Sequence, residues 1–185
     1  MQIPAIRTAR LRLVALTPEL LDIQENARHT LADLFGATIP SGWPGKDWEP
    51  HVYTFMRAQF HDNPHTIGWH RYILLPEGDA LTQTLTMIGT IGSHPKGPDE
   101  AEIGYGILEP WQNKGYATEA ARALLDHLFS LGLRRIRAQT FPHLTPSLRV
   151  MQKCGMQPSG PGEDEGAISY AIEREEFLKR STNLR

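Results

Sequence analysis

One stretch of the sequence, EPWQNKGYATEAARALL at 109–125, places polar residues and a glycine in front of an alanine-rich run with helical spacing. The preceding strand ends near Leu108, and Pro110 prevents its simple continuation. Gly115 allows a tight turn into the helix, so several free backbone N–H groups face one point, together with the positive end of the helix dipole. Such a geometry suits a phosphate or a pyrophosphate.

Two common nucleotide-binding loops do not fit this stretch. A Walker A loop requires Gly-Lys-Ser/Thr in that order, whereas Lys114 precedes Gly115. A dinucleotide-binding fingerprint requires three glycines at fixed spacing and a later acidic residue for the ribose, and neither is present. The pattern that does match is Gln/Arg-x-x-Gly-x-Gly/Ala, which Gln112, Gly115 and Ala117 fit directly.

The strand before this loop carries a carboxylate between small residues. Alternation along residues 101–108 places Glu102, Gly104 and Gly106 on one face, which the two glycines leave nearly bare. We interpret this face as room for a ligand; the alternative is a bulge or close packing of the sheet. Glu102 is the candidate general base, and its alternative role is that of a solvated acid at the strand end, after Asp99 and Glu100.

The elements that must position these residues follow from periodicity and turn signals. The order β-α-α-β-β-β-α-β-α-β predicts an α/β (α+β) fold with helices on one mostly antiparallel sheet, made partly parallel by the strand–helix–strand unit at 101–141. A short polar tail ends the chain. The predicted strands lie at 10–16, 69–75, 86–93, 101–108, 135–141 and 167–172, the helices at 18–34, 47–60, 116–131 and 145–155, and turns at 76–79 and 95–99.

Composition restricts the class of protein. The length of 185 residues makes one domain over 1–185 the expectation. Nineteen basic and twenty-one acidic residues give a net charge of −2 without a basic patch, which disfavours nucleic acid and anionic membrane as partners. The single Cys154 fits a reducing compartment, and the start of the chain lacks the basic-then-apolar order of a signal peptide. We therefore expect a cytoplasmic protein.

The run AEIGYGILEPWQNKGYATEAARALLDHLF closely resembles the acetyl-CoA-binding core of the GNAT acetyltransferase superfamily. More narrowly, it is similar to the branch that contains ribosomal-protein N-terminal acetyltransferases. The resemblance extends to TARLRLVALTPEL, MIGTIGS, SLRVMQKCGM and the final EREEF. It implies the GNAT fold, acetyl-CoA as co-substrate and no metal. It also allows a homodimer.

The resemblance assigns the cofactor contacts to backbone groups. It implies that the pantetheine arm of coenzyme A lies in a split between the strand ending near Leu108 and the strand at 135–141. Backbone N–H groups at the end of the first of these strands would polarise the thioester in the manner of an oxyanion hole. The residues so assigned are Gln112, Asn113, Lys114, Gly115, Tyr116 and Ala117 for the pyrophosphate, and Ile107, Leu108 and Glu109 for the thioester.

The sequence departs from the family pattern at two positions. Met151 occupies the place where many relatives carry a tyrosine near the sulfur, and Leu144 the place of an asparagine that contacts the cofactor. Ser147 is the available hydroxyl for the departing thiolate; its alternative role is to support the helix N-terminus. We expect Cys154 to pack in the core, since no histidine is evidently paired with it.

Two tryptophans lie in a stretch broken by Pro40, Pro44 and Pro50. Trp43 and Trp48 offer rigid aromatic area that could wall the acceptor site, and a ring face can hold an ammonium. The alternative is that they attach the loop to the core. The eight histidines are scattered without metal-ligand spacing, so we expect no metal site, and His143 lies closest in sequence to the proposed cofactor site.

We therefore expect an acetyl-CoA-dependent N-acetyltransferase that acts on a primary amine by direct attack. A non-catalytic acyl-CoA-binding module is the alternative, because the usual tyrosine and asparagine are both missing. A nucleotide-dependent phosphotransferase is disfavoured by the missing Gly-Lys-Ser/Thr. A protein N-terminus, a polyamine-like metabolite and an aminoglycoside-type drug all remain open as acceptor.

Overall fold

The computed structural model describes residues 3–78 and 83–182. Met1, Gln2 and residue 79 of the predicted turn at 76–79 lie outside these ranges. The strands are β1 (Ile6–Arg7), β2 (Arg12–Ala15), β3 (Ala37–Thr38), β4 (Arg71–Glu77), β5 (Thr84–Pro95), β6 (Glu100–Ile107), β7 (Arg135–Thr140), β8 (Gln157–Pro161) and β9 (Ile168–Glu173). The helices are α1 (Pro18–Asn26), α2 (Arg28–Phe35), α3 (Pro50–Asp62), α4 (Tyr116–Ser130), α5 (Thr145–Lys153) and α6 (Arg174–Thr182).

One sheet carries all the strands of the described residues. Its order is β1-β2-β4-β5-β6-β7-β9-β8, and β3 pairs with β5 off this path. Neighbouring strands run antiparallel except β3 with β5 and β6 with β7. The predicted fold class is therefore confirmed, and the parallel pair falls in the strand–helix–strand unit where the sequence predicted it.

The two parallel strands β6 and β7 are paired over a short distance only. Their register joins Glu100–Glu102 to Arg135–Arg137 and then stops, although β6 continues to Ile107. Beyond these pairs the two strands leave a split in the middle of the sheet.

Hydrophobic residues pack on both faces of the sheet. On one face, α4 contributes the fully buried Ala120, Leu124 and Leu128 to the larger core. Helices α1, α2 and α3 cover the other face of the first strands and form a second core around Tyr72 and Met87. The helices thus fix the sheet firmly around β5 and β6, which carry the candidate site.

Several boundaries differ from those predicted. The helix predicted at 18–34 is two helices that break at Ala27, and the helix predicted from 47 begins at Pro50. Helix α5 begins at Thr145, and Leu144 occupies its N-cap position without a side-chain hydrogen bond. The supposed polar tail forms α6. The strands β1 and β3 escaped prediction because each has only two residues, and β8 escaped it because its sequence, QPSGP, has the composition of a turn.

Candidate active site

The loop before α4 has the backbone geometry of an anion site. Asn113 has φ 60° and Gly115 has φ 83°, and α4 begins directly afterwards at Tyr116. Left-handed residues spaced in this way turn successive N–H groups to one side, and the first N–H groups of a helix have no partner within it. The loop residues from Gln112 to Gly115 are exposed at the positive end of α4. The N–H of Gln112, one of the predicted pyrophosphate donors, is occupied by the carbonyl oxygen of Glu109 at 3.1 Å.

Arg10, which precedes β2, holds this loop from the other side. Its Nη1 donates to the carbonyl oxygen of Lys114 at 3.0 Å, and its guanidinium lies 4.6 Å from the centre of the Tyr116 ring. Its Nε donates to Glu119 in the first turn of α4 at 2.7 Å, and Thr8 donates to the same carboxylate at 2.6 Å. These hydrogen bonds hold the pKa of Glu119 below its usual value despite its partial burial.

The end of β6 shows which backbone groups point into the split. The N–H of Leu108 donates to the carbonyl oxygen of Ile88 on β5 at 2.8 Å. Because these directions alternate along an antiparallel strand, the N–H groups of Ile107 and Tyr105 point the opposite way, towards β7. The side chain of Gln112 donates to the carbonyl oxygen of Ile107 at 2.8 Å, which fits this direction. Leu108, one of the predicted thioester donors, therefore has its N–H occupied within the sheet.

The two glycines of β6 open onto empty space. A Cβ placed on Gly104 or on Gly106 would meet no heavy atom within 4 Å. On the neighbouring strand, a Cβ on Gly92 would overlap the ring of His70, and one on Gly89 would overlap the backbone of Gly106. Close packing thus explains the glycines of β5, whereas those of β6 leave space for a ligand. The residues present fit the arm of coenzyme A.

One cavity of about 1230 Å³ runs along this strand. It reaches from Gln112 at the loop, past Gly106 and Gly104, to Glu102. Trp48 lines its far wall. The anion loop and the candidate base therefore belong to one continuous space.

Glu102 lies in the wall of this cavity with only 5% of its surface exposed. Its Oε1 accepts a hydrogen bond from Nε2 of Gln139 at 2.9 Å, whereas its Oε2 is buried and has no partner among the described residues. Burial raises the pKa of this carboxyl above its usual value, and Lys96, Gln139 and Arg137 act in the opposite direction. Glu102 is thus a desolvated carboxylate with one free oxygen, and not a solvated acid.

The hydroxyl candidate has a neighbour that the sequence did not indicate. The Tyr105 hydroxyl donates to the carbonyl oxygen of Ser147 at 3.1 Å and lies 3.3 Å from its Oγ. Burial raises the pKa of Tyr105 to about 12. Tyr105 also lines the cavity. The Tyr105 side chain alternates with the two bare glycines and so points to the opposite face, towards α5, whose position the sequence alone does not give.

The two tryptophans have different surroundings. Trp43 is 2% exposed in the second core, with its ring centre 5.4 Å from that of Tyr72. Trp48 is half-buried, lines the cavity, and donates from Nε1 to the Thr90 hydroxyl at 3.3 Å. Only Trp48 thus has a surface that an acceptor could touch.

The remaining candidates lie outside this arrangement. Cys154 is buried in the larger core, and burial raises its pKa to about 11, which disfavours a nucleophilic thiolate. His143 is exposed and stacks on Phe141, with ring centres 5.7 Å apart. Across residues 3–78 and 83–182, no three His, Cys, Asp or Glu side chains gather as a metal site requires. In the same ranges, none of the helices combines the length and the apolar character that crossing a bilayer requires.

The mixed sheet, its split and the helix-start loop agree with the GNAT fold. The chain matches the model of the acetyltransferase (GNAT) domain over residues 10–157 and belongs to this family. The expected family is therefore confirmed.

Individual relatives agree with this family. An FsC-acetyl coenzyme A-N(2)-transacetylase from Aspergillus fumigatus is 27% identical, over 95% of this chain and 79% of its own length. The chain spans about half the length of three curated Bacillus N-acetyltransferases that it matches at 37–42% identity. An acetyltransferase structure from Agrobacterium tumefaciens has a TM-score of 0.61 at 27% identity, covering 94% and 96% of the two chains. RimJ of Mycobacterium smegmatis, in complex with CoA-disulfide, shares the fold with a TM-score of 0.55 at 21% identity, covering 92% and 89%.

Proposed function

We propose that this protein transfers the acetyl group of acetyl-CoA to a primary amine by direct attack, with Glu102 as the general base. The observation that carries the proposal is the single cavity that joins the anion loop at Gln112 to Glu102, a buried carboxylate whose Oε2 has no hydrogen-bond partner among the described residues. Membership of the GNAT family supports acetyl-CoA as donor and an amine as acceptor. The proposal treats the chain as one catalytic domain in the cytoplasm, in line with its single cysteine.

The loop is proposed to bind the pyrophosphate through its backbone. The N–H groups from Asn113 to Ala117 surround the positive end of α4, and the left-handed conformations of Asn113 and Gly115 turn them to one side, whereas the N–H of Gln112 is already paired with the carbonyl oxygen of Glu109. Bound acetyl-CoA supplies the acetyl group as an activated thioester. The open faces of Gly104 and Gly106 give its arm a path towards Glu102.

The proton of the acceptor is the main chemical obstacle. At pH 7, its removal costs about 4–5 kcal/mol for a lysine-like amine and about 1 kcal/mol for a peptide α-amine. Glu102 Oε2 accepts this proton, directly or through a water. Burial makes Glu102 a stronger base than an exposed carboxylate, because it raises the pKa of the conjugate acid. The neutral amine then attacks the thioester carbonyl.

Distance along β6 separates the roles of its backbone donors. At about 3.3 Å per residue, Ile107 lies about 16 Å along the strand from Glu102, and Tyr105 about 10 Å. A base and the carbonyl it serves must lie within reach of one amine. We therefore assign the polarisation of the carbonyl to the N–H of Tyr105, and the binding of the arm to Ile107.

The last step breaks the C–S bond and leaves a thiolate on coenzyme A. A thiol with a pKa near 8.5 leaves with little assistance, so a hydrogen bond is sufficient. The Oγ of Ser147 donates this hydrogen bond to the thiolate. It is free to do so because the Tyr105 hydroxyl acts as donor, either to Ser147 Oγ or to the Ser147 carbonyl oxygen. The nitrogen loses its second proton as the amide forms; this proton reaches the thiolate through solvent, and Glu102 releases the first proton to solvent.

The acceptor enters from the opposite end of the cavity. Trp48, Val52 and Phe55 line this end, and Phe55 has 49% of its surface exposed. Aromatic and aliphatic surface of this kind suits the body of an amine whose amino group points towards Glu102. Trp43 supports the loop behind this wall.

The test measures coenzyme A release from acetyl-CoA with spermidine, an aminoglycoside and short peptides that have a free α-amino group. We expect at least one amine to be acetylated, and we expect acetyl-CoA but not ATP to raise the melting temperature. At 100 times its Kd, a ligand stabilises by about 2.7 kcal/mol. Stabilisation by acetyl-CoA without turnover on any amine would favour the non-catalytic module. Stabilisation by ATP alone would favour a phosphotransferase.

A further inference from the structure

Gln139 of β7 is the direct neighbour of the candidate base. Glu102 pairs with Arg137 across the two parallel strands, so Gln139, two residues further along, lies on the same face of the sheet. Its Nε2 donates to Glu102 Oε1 at 2.9 Å. This hydrogen bond spans the first part of the split between β6 and β7, where the backbone pairing has ended.

The other end of the Gln139 amide is fixed by the loop between β8 and β9. Its Oε1 accepts a hydrogen bond from the backbone N–H of Glu163 at 2.8 Å. Gly162 packs so closely that a Cβ at this position would come within 2.7 Å of the same oxygen. These contacts determine which way the amide faces, because Oε1 meets an N–H donor and Nε2 must therefore face Glu102.

We propose that Gln139 is a positioning residue: held by the backbone of the β8–β9 loop, it fixes the Glu102 carboxylate so that Oε1 is occupied and Oε2 remains free for the acceptor amine. This inference rests on the proposed role of Glu102. Its consequence is that a residue of β7, on the other side of the split, determines the orientation of the base on β6.

Other charged groups also face Glu102. His94 is its cross-strand neighbour on β5, and Lys96 follows in the turn after β5. Arg137 lies opposite on β7, and Glu163 reaches in from the β8–β9 loop, where it forms an ion pair with Lys96 at 2.7 Å. Lys96, Arg137 and the Gln139 hydrogen bond favour the ionised carboxylate, whereas burial and Glu163 oppose it.

The direct test follows the Glu102 carboxyl by NMR in protein labelled with ¹³C at the glutamate carboxyls, titrated without any substrate. The Glu102→Gln variant identifies its resonance. In Gln139→Met, which keeps the size of the side chain and removes its polar atoms, we expect the titration to move to higher pH by about one unit. In Gln139→Glu, a second carboxylate should move it further in the same direction. Gln152→Met, an exposed glutamine of α5, is the control and should leave the titration unchanged.

The kinetic test uses acetyl-CoA and whichever amine of the panel is acetylated fastest. Gln139→Met should lower kcat about tenfold and move the acid limb of its pH profile upwards, with KM for acetyl-CoA unchanged. Gln139→Glu should shift the acid limb further. Circular dichroism and melting temperature confirm that each variant folds. If Gln139→Met does not fold, Gln139→Glu provides the test in its place.

The outcomes separate this inference from the proposed function. If Glu102→Gln abolishes transfer while the Gln139 variants keep the wild-type titration and pH profile, the positioning role is wrong and the base assignment stands. If the titration shifts as expected but Glu102→Gln retains full activity, Gln139 positions Glu102 and the base assignment is wrong. A fall in kcat without any shift in either pH dependence also overturns the positioning role.

Discussion

At the scale of single residues, the surroundings of Glu102 suit a general base but reduce the stability of the folded protein. Its carboxyl is almost completely buried and receives one hydrogen bond from Gln139, with its other oxygen unpaired. A buried carboxylate that lacks a full set of partners is costly, and such groups concentrate at functional sites. The residue thus has a chemical reason to be there and no evident structural one.

Replacement of this base should abolish most of the activity. For Glu102→Gln we expect kcat to fall by about 10²–10⁴, most strongly for a lysine-like acceptor, with KM for acetyl-CoA unchanged. Steady-state kinetics across pH test this. The wild-type rate should fall on acidification through the raised pKa of Glu102, and this acid limb should be missing from the variant. A variant that keeps both its rate and the limb would contradict the assignment.

Gly115 is the second residue whose identity matters, because its position requires a left-handed backbone conformation. Its φ of 83° is strained for any residue with a Cβ, and a Cβ would also lie 3.4 Å from Nη2 of Arg10. Forcing alanine into a left-handed conformation costs about 1–2 kcal/mol. We expect Gly115→Ala to raise KM for acetyl-CoA about tenfold and to leave kcat nearly unchanged. The control is Gly97→Ala, since Gly97 has open space and no positive φ. Equal effects of the two variants would show that the loop geometry is not needed.

At the scale of elements, the anion loop depends on the N-terminal segment of the chain. Arg10 and Thr8 both reach Glu119, more than a hundred positions away, and Arg10 also holds the carbonyl oxygen of Lys114. No pattern in the sequence indicates a contact at this separation. The loop was recognisable from its own residues, whereas the contacts that stabilise its shape come from a distant segment.

Loss of Arg10 should therefore affect the donor site. In Arg10→Ala, the carboxylate of Glu119 loses its ion pair beside the loop, and the carbonyl of Lys114 loses its donor. Since the pair is partly exposed, we expect a modest effect, with KM for acetyl-CoA raised about three- to tenfold and kcat unchanged. Arg7→Ala, exposed on β1, is the matched control. A lowered melting temperature without any change in KM would limit Arg10 to a structural role.

Local sequence signals predicted the strands and helices that have regular periodicity. They failed where tertiary contacts determine whether a helix forms or ends. The chain breaks at Ala27 within ENARHT, which contains neither glycine nor proline, and Arg28 just after the break donates to the carbonyl oxygen of Trp43 at 2.6 Å. Helix α6 is polar along most of its length, yet the Phe177 ring packs 5.2 Å from that of Phe129. A contact made across the fold leaves no local pattern to read.

In the candidate site, too, some residues could be predicted from local sequence and others could not. Alternation on β6 correctly placed Glu102 with Gly104 and Gly106 on the wall of one cavity. The partners Gln139 and Tyr105 could not be predicted, because their roles depend on the register of β7 and the position of α5.

At the scale of the whole molecule, activity and stability oppose each other at Glu102. Its folded-state pKa is raised, so the folded protein retains this proton to higher pH than the unfolded chain does. The contribution of this group to stability is therefore most favourable at low pH and declines as the pH rises through the folded-state pKa.

Thermal denaturation of Glu102→Gln tests this relation. We expect the variant to have a higher melting temperature than the wild type at pH 8, and the difference to shrink as the pH falls towards 4, because the wild-type carboxyl then becomes neutral. The Gln152→Met variant should show no such trend. A difference that grows on acidification would mean that Glu102 is stabilised as a carboxylate.

The alternation of side chains along β6 also limits which insertions and deletions this strand tolerates. The Glu102 side chain and the bare faces of Gly104 and Gly106 lie on one side of β6, while the Ile103 side chain packs in the larger core and the Tyr105 hydroxyl contacts α5 on the other side. Because alternate residues face opposite ways, inserting or deleting a single residue within β6 between Glu102 and Ile107 would exchange the two faces on one side of the change, so that the carboxylate and the two glycines would no longer share a face. The length of this strand must therefore stay fixed or change by two. A scan of single insertions should find β6 far less tolerant than the turn at 95–99.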